Sequence, residues 1–102
     1  MIRSESRGPV GLLTIDRPDR RNALNLDACV ELTAALDEHV AGGARVVVLT
    51  GAGGHFCAGA DLSGVKGEEF RSALRVLLDR LTTVAVPVVA AVEGAALGAG
   101  VQ

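Results

Sequence analysis

Tryptophan and tyrosine are absent from these 102 residues and phenylalanine occurs only twice, so any core has to be assembled from alanine, valine and leucine. Cysteine is also scarce. Cys29 and Cys57 are too few for a disulfide framework, neither stands at metal-ligand spacing, and both are expected to be reduced. Neither sign of charge dominates: Lys+Arg 10 against Asp+Glu 12 leaves a formal net charge of −2, which argues against a general nucleic-acid binder. The opening residues, Met1-Ile2-Arg3-Ser4-Glu5, mix both signs and lack the apolar run of a signal peptide, so a cytoplasmic setting is expected. The most apolar stretch, residues 84–101, is broken by Pro87, Glu93, Gly94, Gly98 and Gly100, which argues against a membrane span. No repeat, low-complexity segment or linker marks an internal boundary.

Hydrophobic residues make up 49% of the chain, enough for the core of one small domain whose stability the surface-to-volume ratio keeps marginal. Gly8-Pro9 separates two short extended patterns, Ile2 to Ser6 and Val10 to Asp16, and predicts a hairpin at one sheet edge. From Asp27 the apolar positions Ala28, Leu32, Ala35, Leu36 and Val40 recur at helical spacing, and Gly42-Gly43 supplies a stop. Val46-Val47-Val48-Leu49 reads as a strand buried on both faces, residues 67–83 as a helix through Phe70, Leu74, Leu77, Leu78 and Leu81, and Pro87 to Val92 as a second buried strand. Strand, loop and helix in this alternation predict an α/β fold with parallel strands and right-handed crossovers, its functional loops at the carboxyl ends of neighbouring strands.

Two of those loops are built from small residues: His55-Phe56-Cys57-Ala58-Gly59-Ala60-Asp61-Leu62 and Ala96-Leu97-Gly98-Ala99-Gly100. Side chains this small leave the main chain bare, so its N–H groups can approach a ligand oxygen closely. Two such donors converging on one atom form an oxyanion hole, the arrangement that usually contributes most to catalysis where negative charge develops.

Four segments, in order along the chain, resemble the crotonase superfamily, also called the enoyl-CoA hydratase/isomerase family. They are Arg17-Pro18-Asp19-Arg20-Arg21-Asn22-Ala23-Leu24-Asn25, Val46-Val47-Val48-Leu49-Thr50-Gly51, Phe56-Cys57-Ala58-Gly59-Ala60-Asp61-Leu62, and the run from Pro87 to Gly100. The resemblance implies a crotonase-like (ClpP/crotonase) ββα spiral of which residues 1–102 form the N-terminal part, within a protein that assembles as a homo-trimer or hexamer. It implies that the backbone N–H groups of Ala60 and Ala99 hold a thioester carbonyl. The loop from Ala58 through Ala60 and Asp61 to Leu62 would contact the adenine and line the pantetheine channel, and Ala23 and Leu24 would flank the adenine. Arg17, Arg20 and Arg21 would border the CoA phosphates, where a planar guanidinium can bond two oxygens at once. No metal or cofactor is implied, the CoA thioester being itself the substrate.

The sequence departs from the family at one position of consequence. Hydratases carry a glutamate where this chain has Gln102, and an amide cannot accept the proton that a base must take from water. A second family glutamate would lie beyond Gln102. Two function classes therefore stay open: an enoyl-CoA hydratase or isomerase of fatty acid metabolism, and a non-catalytic acyl-CoA-binding protein that lacks the acid–base pair. Other polar residues take plainer roles: His55 at the loop surface, Cys57 in packing, Asp61 also as a helix cap, Glu93 as a structural turn residue, and Glu31, Asp37, Glu38 and His39 on a helix's polar face.

Overall fold

In the computed structural model of the chain the described residues are 1–20, 22–53 and 67–91. Strand β1 (Ile2–Arg7) pairs antiparallel with β2 (Val10–Ile15), Arg7 opposite Val10, across the two-residue turn Gly8-Pro9. Gly8 has φ +59 and Pro9 supplies the negative φ of its ring, the sign pattern of a turn whose twist matches a hairpin.

Helix α1 (Leu26–Ala41) follows, starting one residue earlier than its apolar spacing predicts because Asn25 caps it. The Asn25 side chain accepts a hydrogen bond from the Ala28 N–H at 2.8 Å, satisfying a donor that the first helical turn leaves without a partner. The chain returns as β3 (Val46–Gly51), parallel to β2, then runs through α2 (Gly67–Thr83) to β4 (Val88–Ala91), parallel to β3. The strand order is β1-β2-β3-β4.

Alternation along the strands decides where the core lies. Leu13 and Ile15 of β2 and Val47 and Leu49 of β3 share one face, and against it pack Leu24, then Ala28, Cys29, Leu32 and Leu36 of α1, then Phe70 and Leu77 of α2. Each fully buried leucine contributes about 1.5–3 kcal/mol relative to exposure. Arg80 of α2 bridges to Asp37 of α1 at the surface, a contact between half-exposed groups that adds little.

Two strand expectations need correcting. β3 is not buried on both faces: Val47 and Leu49 are buried while Val46 and Val48 are only half-buried, because the described helices cover one face. β4 is the outer strand of the described sheet, with Val89 51% exposed and Ala90 exposed, rather than a second buried strand.

His39, half-buried on the polar face of α1, also makes a packing contact. Its ring lies over Gly11 of β2, where a built Cβ would stand 2.7 Å from the imidazole Cγ, and its Nε2 is hydrogen-bonded to Ser4 Oγ at 2.8 Å. The missing side chain at Gly11 is what admits the last turn of α1 to the sheet. Among the described residues no helix is long and apolar enough to cross a membrane.

Candidate functional site

The parallel strands run level. Ile15 at the end of β2 lies opposite Gly51 at the end of β3, and Thr50 lies opposite Ala91, the last described residue of β4. Among the described residues the chain therefore leaves the sheet twice at one edge, where ligands bind in open α/β sheets. The first departure, residues 16–25, is described nearly whole, and the second as far as Gly53.

Residues 16–25 are held by their own polar groups. Asp16 donates its N–H to the Met1 carbonyl at 2.6 Å, and its carboxylate pairs with Arg3 at 3.2 Å. Pro18–Arg20 forms a single 3-10 turn. The Arg17 carbonyl accepts from the N–H groups of Arg20 (3.0 Å) and Asn22 (2.8 Å), while the Arg17 guanidinium bends back and donates to the Ala23 carbonyl.

Asn22 closes this loop and reaches beyond it. It is fully buried, at 0% exposure, and sits at φ +60, a left-handed conformation that asparagine tolerates better than most side chains. Its Oδ1 accepts from the Arg17 N–H at 2.8 Å and its Nδ2 donates to the Ala52 carbonyl at 2.7 Å. The Ala52 N–H in turn donates to the Ile15 carbonyl at 2.9 Å, extending the β2–β3 ladder by one bond. A buried amide left without such partners would cost about 1–3 kcal/mol for each unmet group, so the two loops are fixed to each other at their roots.

The structure separates the residues that sequence grouped together. Arg20 is exposed at the end of the 3-10 turn, with no described residue paired to it. The half-buried Arg17 donates to the Ala23 carbonyl and so braces the loop. Ala23 is half-buried, and the Leu24 side chain, 4% exposed, belongs to the core. Arg21, Ala58, Ala60, Asp61, Leu62, Ala99 and Gln102 lie outside the described residues, as do His55, Cys57 and Glu93. Among the described residues no three His, Cys, Asp or Glu side chains gather as a metal site would require.

Asn22 escaped the sequence reading. The available signal was an asparagine directly after a short turn-forming run, a residue type enriched at positive φ, but its partner lies thirty positions away.

A parallel α/β sheet with its loops gathered at one edge, opened by an antiparallel hairpin strand, defines the class, and the comparisons place the chain within it. The family model for enoyl-CoA hydratase/isomerase matches residues 5–102, and the chain belongs to that family, with its crotonase fold. It is 47% identical over 94 residues to a probable enoyl-CoA hydratase, echA6, of Mycobacterium tuberculosis, covering 89% of this chain and 39% of that protein. It is 44% identical over 105 residues to a probable enoyl-CoA hydratase of Rhodobacter capsulatus, covering 97% of this chain and 40% of that one. Among solved structures, an enoyl-CoA hydratase from Thermoplasma volcanium superposes with a TM-score of 0.90 at 30% identity, over 99% of this chain and 43% of its own. One from Polaromonas sp. gives 0.89 at 36% identity, over 97% and 42%. The chain thus spans about two fifths of the length of these relatives.

Proposed function

We propose that the chain carries the acyl-CoA-binding edge of an enoyl-CoA hydratase/isomerase-family protein, polarising a thioester carbonyl between the backbone N–H groups of Ala60 and Ala99. The observation that carries this reading is the carboxyl edge at which Ile15 lies opposite Gly51 and Thr50 opposite Ala91, since the sequence that follows Gly51 contains Ala60 and the sequence that follows Ala91 contains Ala99. As the α-carbon of the substrate becomes enolate-like, charge moves onto the thioester oxygen. Each well-placed donor stabilises that charge by about 3 kcal/mol.

Arg20 and Arg21 then take the CoA phosphates, and Ala23, Leu24, Ala58, Asp61 and Leu62 contact the nucleotide and pantetheine. Arg20 suits that role because it is exposed and uncommitted among the described residues, whereas Arg17 already holds Ala23. The reading calls for no cofactor or metal, and carries with it a cytoplasmic setting and a trimeric or hexameric whole protein.

Gln102 favours a second reading within the same site. At the position of a family glutamate it can hold a water or a substrate oxygen but takes no proton, which suits binding without hydration. Calorimetric titration of the purified chain with hexanoyl-CoA and with free CoA tests the proposal. Both bind, and hexanoyl-CoA binds about tenfold tighter, the equivalent of about one net hydrogen bond to the thioester. Failure of either to bind would remove the proposal, and equal affinities would remove the thioester contact. Measurable hydration of crotonyl-CoA by the same chain would overturn the binding-only reading.

A further inference from the structure

We infer that Asn22 is a positioning residue that ties the nucleotide side of the site to its thioester side, an inference that rests on the function proposed above. Residues 16–25 carry Arg20 and Ala23, assigned to CoA, while the segment leaving β3 at Ala52 carries Ala60, assigned to the carbonyl oxygen. One buried side chain touches both. Oδ1 of Asn22 takes the Arg17 N–H within its own loop, and Nδ2 gives a hydrogen bond to the Ala52 carbonyl across the gap.

The place of that second bond matters more than its strength. Ala52 is the first residue beyond β3, and at Gly53 the backbone turns through φ +73, a conformation open to glycine at little cost. With the peptide before Ala52 held by its N–H bond to the Ile15 carbonyl and the peptide after it held by Asn22 Nδ2, both peptides flanking the Ala52 Cα are fixed, which sets the direction in which the chain enters that turn. Donors in an oxyanion hole act only when held close to the oxygen, and displacement by about 1 Å is enough to remove most of their effect.

Asparagine meets three requirements at once. The backbone needs positive φ, the Arg17 N–H needs an acceptor, and the Ala52 carbonyl needs a donor. Glycine meets the first alone. Aspartate meets the first two and opposes the third, because an ionised carboxylate offers no proton to the Ala52 carbonyl.

Two variants therefore test the inference in the 102-residue chain. Asn22→Asp keeps the bond within the loop and breaks the bond between loops, and Asn22→Gly removes both while leaving the backbone unstrained. Hydrogen exchange at the Ala52 amide, whose bond to Ile15 adjoins the Asn22 link, reports the loosening of this corner, with the Cys29 amide, bonded to the Asn25 carbonyl at 3.0 Å at the start of α1, as the internal reference. Calorimetry with hexanoyl-CoA and free CoA reports the consequence. In both variants Ala52 exchanges faster relative to Cys29 and the preference for hexanoyl-CoA over CoA falls about tenfold; free-CoA affinity stays within about twofold in Asn22→Asp, which keeps the bond within the loop, and falls further in Asn22→Gly, which loses it.

A merely structural asparagine would weaken both ligands in parallel or leave both unchanged, and either result overturns the inference. Retained Ala52 protection overturns it as well. A wild-type chain that binds hexanoyl-CoA no tighter than CoA overturns the proposed function and this role together, whereas a wild-type preference that survives in both variants overturns the positioning role alone.

Discussion

Gly11→Ala perturbs the seat of α1 on the sheet. The added methyl would meet the His39 ring at 2.7 Å from Cγ and 2.8 Å from Nδ1, with the His39 Cβ at 3.0 Å. The His39 Cβ moves only if the end of α1 moves, and the two ring atoms can turn aside only by giving up the ring's bond to Ser4 Oγ. Overpacking of this kind costs about 1–3 kcal/mol. Against it stands about 0.4–1 kcal/mol gained because alanine restricts the unfolded chain more than glycine does. The balance is a loss of about 1–2 kcal/mol, large beside the stability of a small domain.

With no tryptophan or tyrosine to report fluorescence, urea denaturation followed by far-ultraviolet circular dichroism is the assay. The decisive comparison is a double-mutant cycle with His39→Ala. That change removes the two nearest ring atoms and leaves the Cβ contact, so the cost of Gly11→Ala should fall by about half or more in its presence. Equal costs in the two backgrounds would refute the reasoning. So would a stabilised single variant.

Arg20→Ala should weaken free-CoA binding a few-fold, more at low salt than at high, without lowering the denaturation midpoint, since its guanidinium braces no described residue. Arg17→Ala should do the reverse at first order, lowering stability through the lost bond to the Ala23 carbonyl. Asn25→Ala removes the cap on α1 and should cost about 1 kcal/mol in the same denaturation assay, whereas Asn25→Ser, which keeps an acceptor for the Ala28 N–H, should cost much less. Leu77→Ala opens a cavity beneath α2 and should cost about 2–5 kcal/mol.

Much of the fold could be read before any coordinates because the relevant signals are local. The bounds of α2, the apolar stripe of α1 and the hairpin at Gly8-Pro9 all follow from spacing within a few residues. Burial of a strand is not local. Val46-Val47-Val48-Leu49 reads as apolar throughout, but which of the four are covered depends on helices that lie against one face. Val89 looks like core in sequence and is half-exposed because β4 has a described neighbour on one side only.

The candidate site divides in the same way. Its place at the carboxyl edge follows from element order, and the small-residue loops announce exposed main-chain donors. The fate of individual side chains does not follow. Arg17 and Arg20 are equivalent in a charge pattern, and only the position of the Ala23 carbonyl separates the loop brace from the exposed cation. Asn22 is silent for the same reason: its importance lies in a carbonyl just beyond β3, thirty positions away.

The central claim is that two backbone amides share one thioester oxygen, and nuclear magnetic resonance of the 15N-labelled chain addresses it directly. On saturation with hexanoyl-CoA, the amide proton signals of Ala60 and Ala99 should both move downfield as each gains a hydrogen bond, while free CoA leaves them in place. Unshifted signals at either alanine under saturating hexanoyl-CoA, or equal shifts with free CoA, would contradict the account.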